Sequence, residues 1–178
     1  RGDSAQIHKL LHSGSVRLGF VGAMLEPDSM AYFPMLEDHL VMCTANNPHY
    51  QALKKQNVYG RDLLREPTVA REEGSGTDRT VQSYMRNMGL ADQDLHIVAR
   101  VDDPEAIKRM TAQGVGVSVL SALSVASEVD DGRLLTFPMD PQGLHRSIYL
   151  VYPRETILSQ SEQAFVRFCR QMAIRRNL

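Results

Sequence analysis

The run DDPEAIKRMTAQGVGVSVL (residues 102–120) spells out a complete helix-and-strand unit. Asp102, Asp103, Pro104 and Glu105 place acids and a φ-locked residue in a first helical turn, where the helix dipole and the unpartnered amides favour them. Ile107, Met110 and Thr111 recur at helical spacing and give the helix an inner face. Gly114 ends it. Val115 to Leu120 then reads as a strand with the β-branched look of a buried parallel one.

Working outward, the same alternation repeats. Thr68–Arg71 and Leu95–Val101 read as strands. Between them a turn at Glu72–Asp78 feeds a helix carrying Val81, Tyr84, Met85 and Met88 on one face, stopped by Gly89. The stretch 49–66 reads as one or two short helices. Downstream come a short helix over 121–129, a turn at Asp130-Asp131-Gly132, and strands at Leu134–Phe137 and Arg146–Tyr152. A last helix runs from Ser159 to Arg175, with Ala164, Phe165, Phe168 and Met172 expected inward.

At the other end, Asp3 and Ser4 are good caps for a helix over 4–13. Val16–Val21 follows as a strand running into Gly22 and Ala23, then a loop with Pro27 and Pro34, then a strand at His39–Ala45. Strands alternating with helices predict an α/β fold, a parallel sheet covered on both faces.

Composition narrows the function classes. The 178 residues, 43% hydrophobic and 23% charged, suit one domain or two small lobes. Twenty basic against 21 acidic side chains give a net charge of −1, which argues against nucleic-acid binding by this chain itself. Cys43 and Cys169 are too few for a disulfide framework and read as reduced thiols in a cytoplasmic protein. No apolar run is long enough for a membrane span. Arg1-Gly2-Asp3-Ser4 shows no signal-peptide pattern, and without an initiator Met the chain reads as a piece of a longer protein.

The strongest local signal is Gly74-Ser75-Gly76-Thr77-Asp78 before a helix. A helix start carries partial positive charge, and small residues let a ligand approach it, which favours a small anion. The plain alternative is a turn capped by Ser75 or Thr77. Ser4, at the first helix start, can cap or contact a ligand. Gly22 and Ala23 sit beyond a strand's carboxyl end, where ligands of open α/β sheets lie, or simply form a turn. Asp102 occupies a similar edge, as helix cap or contact. His8 and His12 could clamp a metal but lack a third ligand and read as a solvated face. Arg167, Arg170, Arg175 and Arg176 read as a solvated basic face. No catalytic constellation, metal site or cofactor motif is expected.

Several consecutive stretches resemble the effector-binding domain of LysR-type transcriptional regulators. Gly14–Gly22 is similar to that family's "G-x-hydrophobic-D-hydrophobic-G" strand, with Arg17 where Asp is usual. Pro34–Val41 resembles "PL-x-x-D-x-L-V", and Asn47-Pro48-His49 lies where "H-P-L" is common. Asp62–Pro67 matches "D-L-x-x-x-P", Glu72–Thr77 matches "x-E-x-G-S-G-T", and Ala106–Leu120 matches the helix-to-strand motif, with Ser121 replacing Pro.

The resemblance implies two Rossmann-like subdomains with a ligand cleft between them, as in type 2 periplasmic binding proteins. Lobe one would be 1–44 plus 150–178, lacking its first strand and helix, and lobe two 45–149. It also implies an anionic small-molecule effector, a homodimer or homotetramer, and DNA contact only through a winged helix-turn-helix absent from this chain. Ser4, Gly22, Ala23, Ser75, Gly76, Thr77 and Asp102 are the expected effector contacts. A free-standing solute-binding protein and a transferase-like enzyme on a similar scaffold are the alternatives.

Overall fold

The computed structural model describes residues 3–176, without the side chains of Asp92 and of residues 174–176. Arg175 and Arg176 of the expected basic face therefore lie outside the described side chains. The chain divides into two compact units, residues 1–37, 74–76 and 146–178, and residues 38–73 and 77–145.

In the first unit, α1 (Ser4–His12) is capped by Asp3, whose carboxylate accepts the Gln6 amide. Strand β1 (Gly19–Val21) pairs antiparallel with β7 (Leu144–Pro153), and β7 lies between β1 and β2 (Met30–Ala45). Side chains alternate across this sheet. Val21, Met30 and Val151 pack with Leu11 of α1 on one face. Leu150 packs with Val166 and Cys169 of α6 (Gln160–Arg176) on the other. Burial on both faces is why β7 is apolar from Ile148 to Tyr152.

In the second unit, the end of β2 pairs antiparallel with β5 (Ser118–Ser121) and β6 (Leu134–Pro138). Strands β3 (Thr68–Arg71) and β4 (Ile97–Val101) run parallel, and Thr68 bridges Val117 in parallel. Helices α2 (Pro48–Lys55), α3 (Gly76–Asn87), α4 (Pro104–Ala112) and α5 (Ala122–Asp130) complete the order. Leu40 and Met42 face a core with Phe137 and Met139. Cys43 faces the opposite one, with Val69, Ile107 and Leu120. Gly116 lets the backbones of residues 67 and 116 touch: a Cβ there would collide with the Pro67 carbonyl group.

Four expectations change. The strand expected from His39 begins at Met30 and runs through Pro34. Tyr32 and Phe33 alternate onto opposite faces, and a strand loses only one donor to a proline. The expected parallel pairing is found in the two-stranded β3–β4 sheet, whereas the β1–β7, β2–β5 and β2–β6 pairs of the five-stranded sheet are antiparallel. Two-sided burial produces the same valine-rich run whichever way the neighbour points. On α6 the inward residues are Val166, Cys169 and Ala173, while Phe165, Phe168 and Met172 are exposed. Finally, Met88 is exposed on the turn beyond α3.

Candidate functional site

Three of the expected contacts meet in the first unit. Ser4 is buried at the first position of α1, and its hydroxyl accepts the Gly22 amide at 3.3 Å. Gly76 lies against Gly22: a Cβ on Gly76 would fall 3.1 Å from the Gly22 Cα and carbonyl carbon. Only glycine leaves room for that backbone-to-backbone approach. Ser75 is buried beside Gly76 in the chain, and Ala23, half-buried, follows Gly22.

A cation stands here that sequence reading missed. A Cβ on Gly22 would be 3.2 Å from Nη1 of Arg146, so a guanidinium flanks this glycine. Arg146 opens an otherwise apolar strand pattern; a lone Arg there was the available signal.

Helix α1 is tied to the following loop. Tyr32 Oη accepts the amides of Leu25 and Glu26, at 3.2 and 3.1 Å. Its proton is therefore directed to His8 Nε2, 2.6 Å away, and His8 Nδ1–H donates to the Ser4 carbonyl. His8 is thus buried and fully engaged, which corrects its expected place on a solvated face. His12 pairs with Glu26 and, as its hydrogen-bond partner, holds that carboxyl below its ordinary range. Arg170 of the expected basic face is exposed and stacks 3.5 Å over the Phe33 ring.

In the second unit, Thr77 and Asp78 are buried in the first turn of α3. An acid there complements the helix dipole. Asp78 accepts from Arg100 at 3.2 Å and Gln82 at 3.1 Å, and Arg100 also donates to the Arg71 carbonyl. Arg71 forks onto Glu72 with two 2.7 Å bonds. This network fixes the start of the helix and was not foreseen from spacing, because its members come from three elements. Asp102 is exposed; the cap of α4 is Asp103, which accepts the Glu105 amide at 3.0 Å.

Among the described residues no cluster of three or more His, Cys, Asp or Glu could hold a metal, and no helix is long and apolar enough to cross a membrane. Both cysteines are buried free thiols.

Comparison with known proteins gives a family and a fold. Residues 1–173 match the model of the LysR substrate binding domain. The chain is 29% identical over 168 residues to the phosphonates import ATP-binding protein PhnC of Anaeromyxobacter dehalogenans, 94% of this chain and 33% of that protein. It is 28% identical over 133 residues to the transcriptional activator CmpR of Synechocystis sp., 75% of this chain and 42% of that protein. The chain thus spans about a third to a half of such curated relatives. The regulatory domain of CcmR from Synechocystis PCC6803, solved in complex with 2-PG, superposes with a TM-score of 0.81 at 25% identity, covering 96% of this chain and 80% of that one. The fold is the type 2 periplasmic-binding-protein-like fold of these effector-binding domains.

Proposed function

The chain belongs to the LysR substrate-binding domain family, and on that premise we propose that it senses a small anionic effector for a transcriptional regulator. The observation that carries this reading is the meeting of Ser4, Gly22 and Gly76 beside the Arg146 guanidinium. Two bare glycine backbones make a surface without side chains. A fixed cation and the positive end of α3 give that surface its charge preference. Ala23, Ser75, Thr77 and Asp102 are proposed as further contacts. CcmR's regulatory domain, a relative of the same fold, is bound to 2-PG, which supports a small-molecule role.

The effector acts by preferring one of two states of the regulator. DNA is reached through a helix-turn-helix domain elsewhere in the full-length protein, working as a homodimer or homotetramer. A second reading, solute capture for import, has the match to an import ATP-binding protein in its favour.

The test is thermal melting against phosphate, sulfate, 2-PG and a set of small carboxylates. An anion at a hundred times its Kd should stabilise the protein by about 2.7 kcal/mol. Ser4→Ala and Arg146→Gln should each abolish the stabilisation. The reading fails if no anion shifts the melt, or if the hit is consumed rather than reversibly bound.

A further inference from the structure

The second unit carries a groove of about 560 Å³ whose lining includes none of Ser4, Gly22 and Gly76. That volume lies within the ~300–1,000 Å³ typical of small-molecule sites. Its floor is apolar: Leu64 and Met85 are buried, and Leu90 and Leu95 are half-buried. Met85 and Leu90 also extend it along α3 towards Arg86.

The rim carries both signs of charge, but they are not equally available. Asp62 accepts the Tyr59 amide at 3.1 Å, and Asp94 accepts the Ala91 amide at 2.7 Å. Each carboxylate caps a local turn through one oxygen, Oδ2. Arg61 stacks over Tyr59 and stands 3.9 Å from Asp62. Arg65 is exposed and makes no hydrogen bond or ion pair among the described residues. An apolar floor with an uncommitted guanidinium at its edge suits a molecule with a hydrocarbon body and one acidic group.

Behind the groove lies a smaller cavity of about 40 Å³. Leu64 and Leu95 line both spaces, so they form the wall between them. The cavity is also lined by Thr77, Asp78 and Arg100. Empty space behind a wall of two leucines gives them somewhere to move when the groove fills, whereas a close-packed interior would not yield.

We propose that this groove is a second small-molecule site, for an amphipathic anion such as an aryl or short alkyl acid. The body rests on Leu64, Met85, Leu90 and Leu95, and the acid meets Arg65. Filling it displaces Leu64 and Leu95 towards the inner cavity and is felt at Thr77 and Asp78, where α3 begins.

The probe is 8-anilinonaphthalene-1-sulfonate, followed by fluorescence and by backbone amide NMR. Saturable one-site binding is expected, with shifts at residues 61–65 and 85–95 and a second set at Thr77 and Asp78. Arg65→Glu, an exposed substitution, should weaken the dye at least threefold, while Arg65→Lys stays within threefold of the parent. Linear carboxylates should displace the dye more strongly with length, by up to about fourfold per methylene. Dye binding unchanged by Arg65→Glu overturns the proposal, and so do shifts that miss residues 61–65 and 85–95. Shifts in the groove that leave Thr77 and Asp78 still overturn the coupling to α3.

Discussion

Replacing Gly76 with alanine adds one methyl group at the point where two backbones touch. The new Cβ would sit 3.1 Å from two Gly22 carbons and 3.2 Å from its carbonyl oxygen. Comfortable contacts begin several tenths of an ångström further out, and these neighbours are backbone atoms that cannot rotate away. Overpacking of this kind costs about 1–3 kcal/mol. Alanine's better helix propensity returns at most about 1 kcal/mol, and less at the first position of a helix. The balance is a loss of roughly 1–2 kcal/mol, a fall in Tm of about 2–8 °C for a chain of this size. Because the strain falls on Gly22, whose amide bonds Ser4, the variant should also lose anion-induced stabilisation. Melts by circular dichroism with and without the anion read both effects. A variant as stable as the parent, or more so, would show that helix propensity outweighs the contact, and the argument for a glycine-built surface would fall.

Two other perturbations follow from buried groups. Lys108 is buried and bonds Glu128 at 3.0 Å, Glu105 at 2.8 Å and the Ser124 carbonyl at 3.1 Å. Lys108→Met strands the buried Glu128 carboxylate with only Arg133, 3.6 Å away, and should cost about 2–4 kcal/mol at pH 7. Burial opposes the Glu128 charge, but the Lys108 bond, a backbone bond and the nearby Lys108 and Arg133 charges together more than offset it and leave the pKa lowered. A lowered carboxyl stabilises above its unfolded pKa and loses that contribution as pH falls below about 4.5. Urea unfolding at pH 7 and pH 4 should therefore show the gap between parent and variant narrowing in acid; a constant gap would rule out the ion pair as its cause. Burial drives the Cys43 thiol up to about 12 and raises that of Cys169. Neither should react with a disulfide reagent at pH 8 until the protein is unfolded in denaturant, and rapid native labelling would contradict their burial.

Most elements were legible because helix signals are local. Asp103-Pro104 and Gly114 bracket α4 whatever surrounds it, and β3 falls on the expected residues Thr68–Arg71. What was misread depends on neighbours that no window of sequence contains. Phe165, Phe168 and Met172 outweigh Val166, Cys169 and Ala173 in bulk, so a helical wheel turns α6 the wrong way. Pro34 reads as a breaker unless both flanking faces are known to be covered. At the site, Gly22 and Gly76 were singled out from small-residue loops, but their contact joins residues 54 positions apart in the chain. Arg146 and the Arg71–Arg100–Asp78 network were invisible for the same reason.

Strand β2 is one uninterrupted ribbon, Met30–Ala45, yet the division between the two units falls inside it, after Glu37, and inside β7, after His145. Severing the chain at those points would cut through two strands rather than two loops, so the halves should not survive as separate polypeptides. Melting should accordingly show a single step, and in evolution the pair is expected to be duplicated, fused or lost as one cassette.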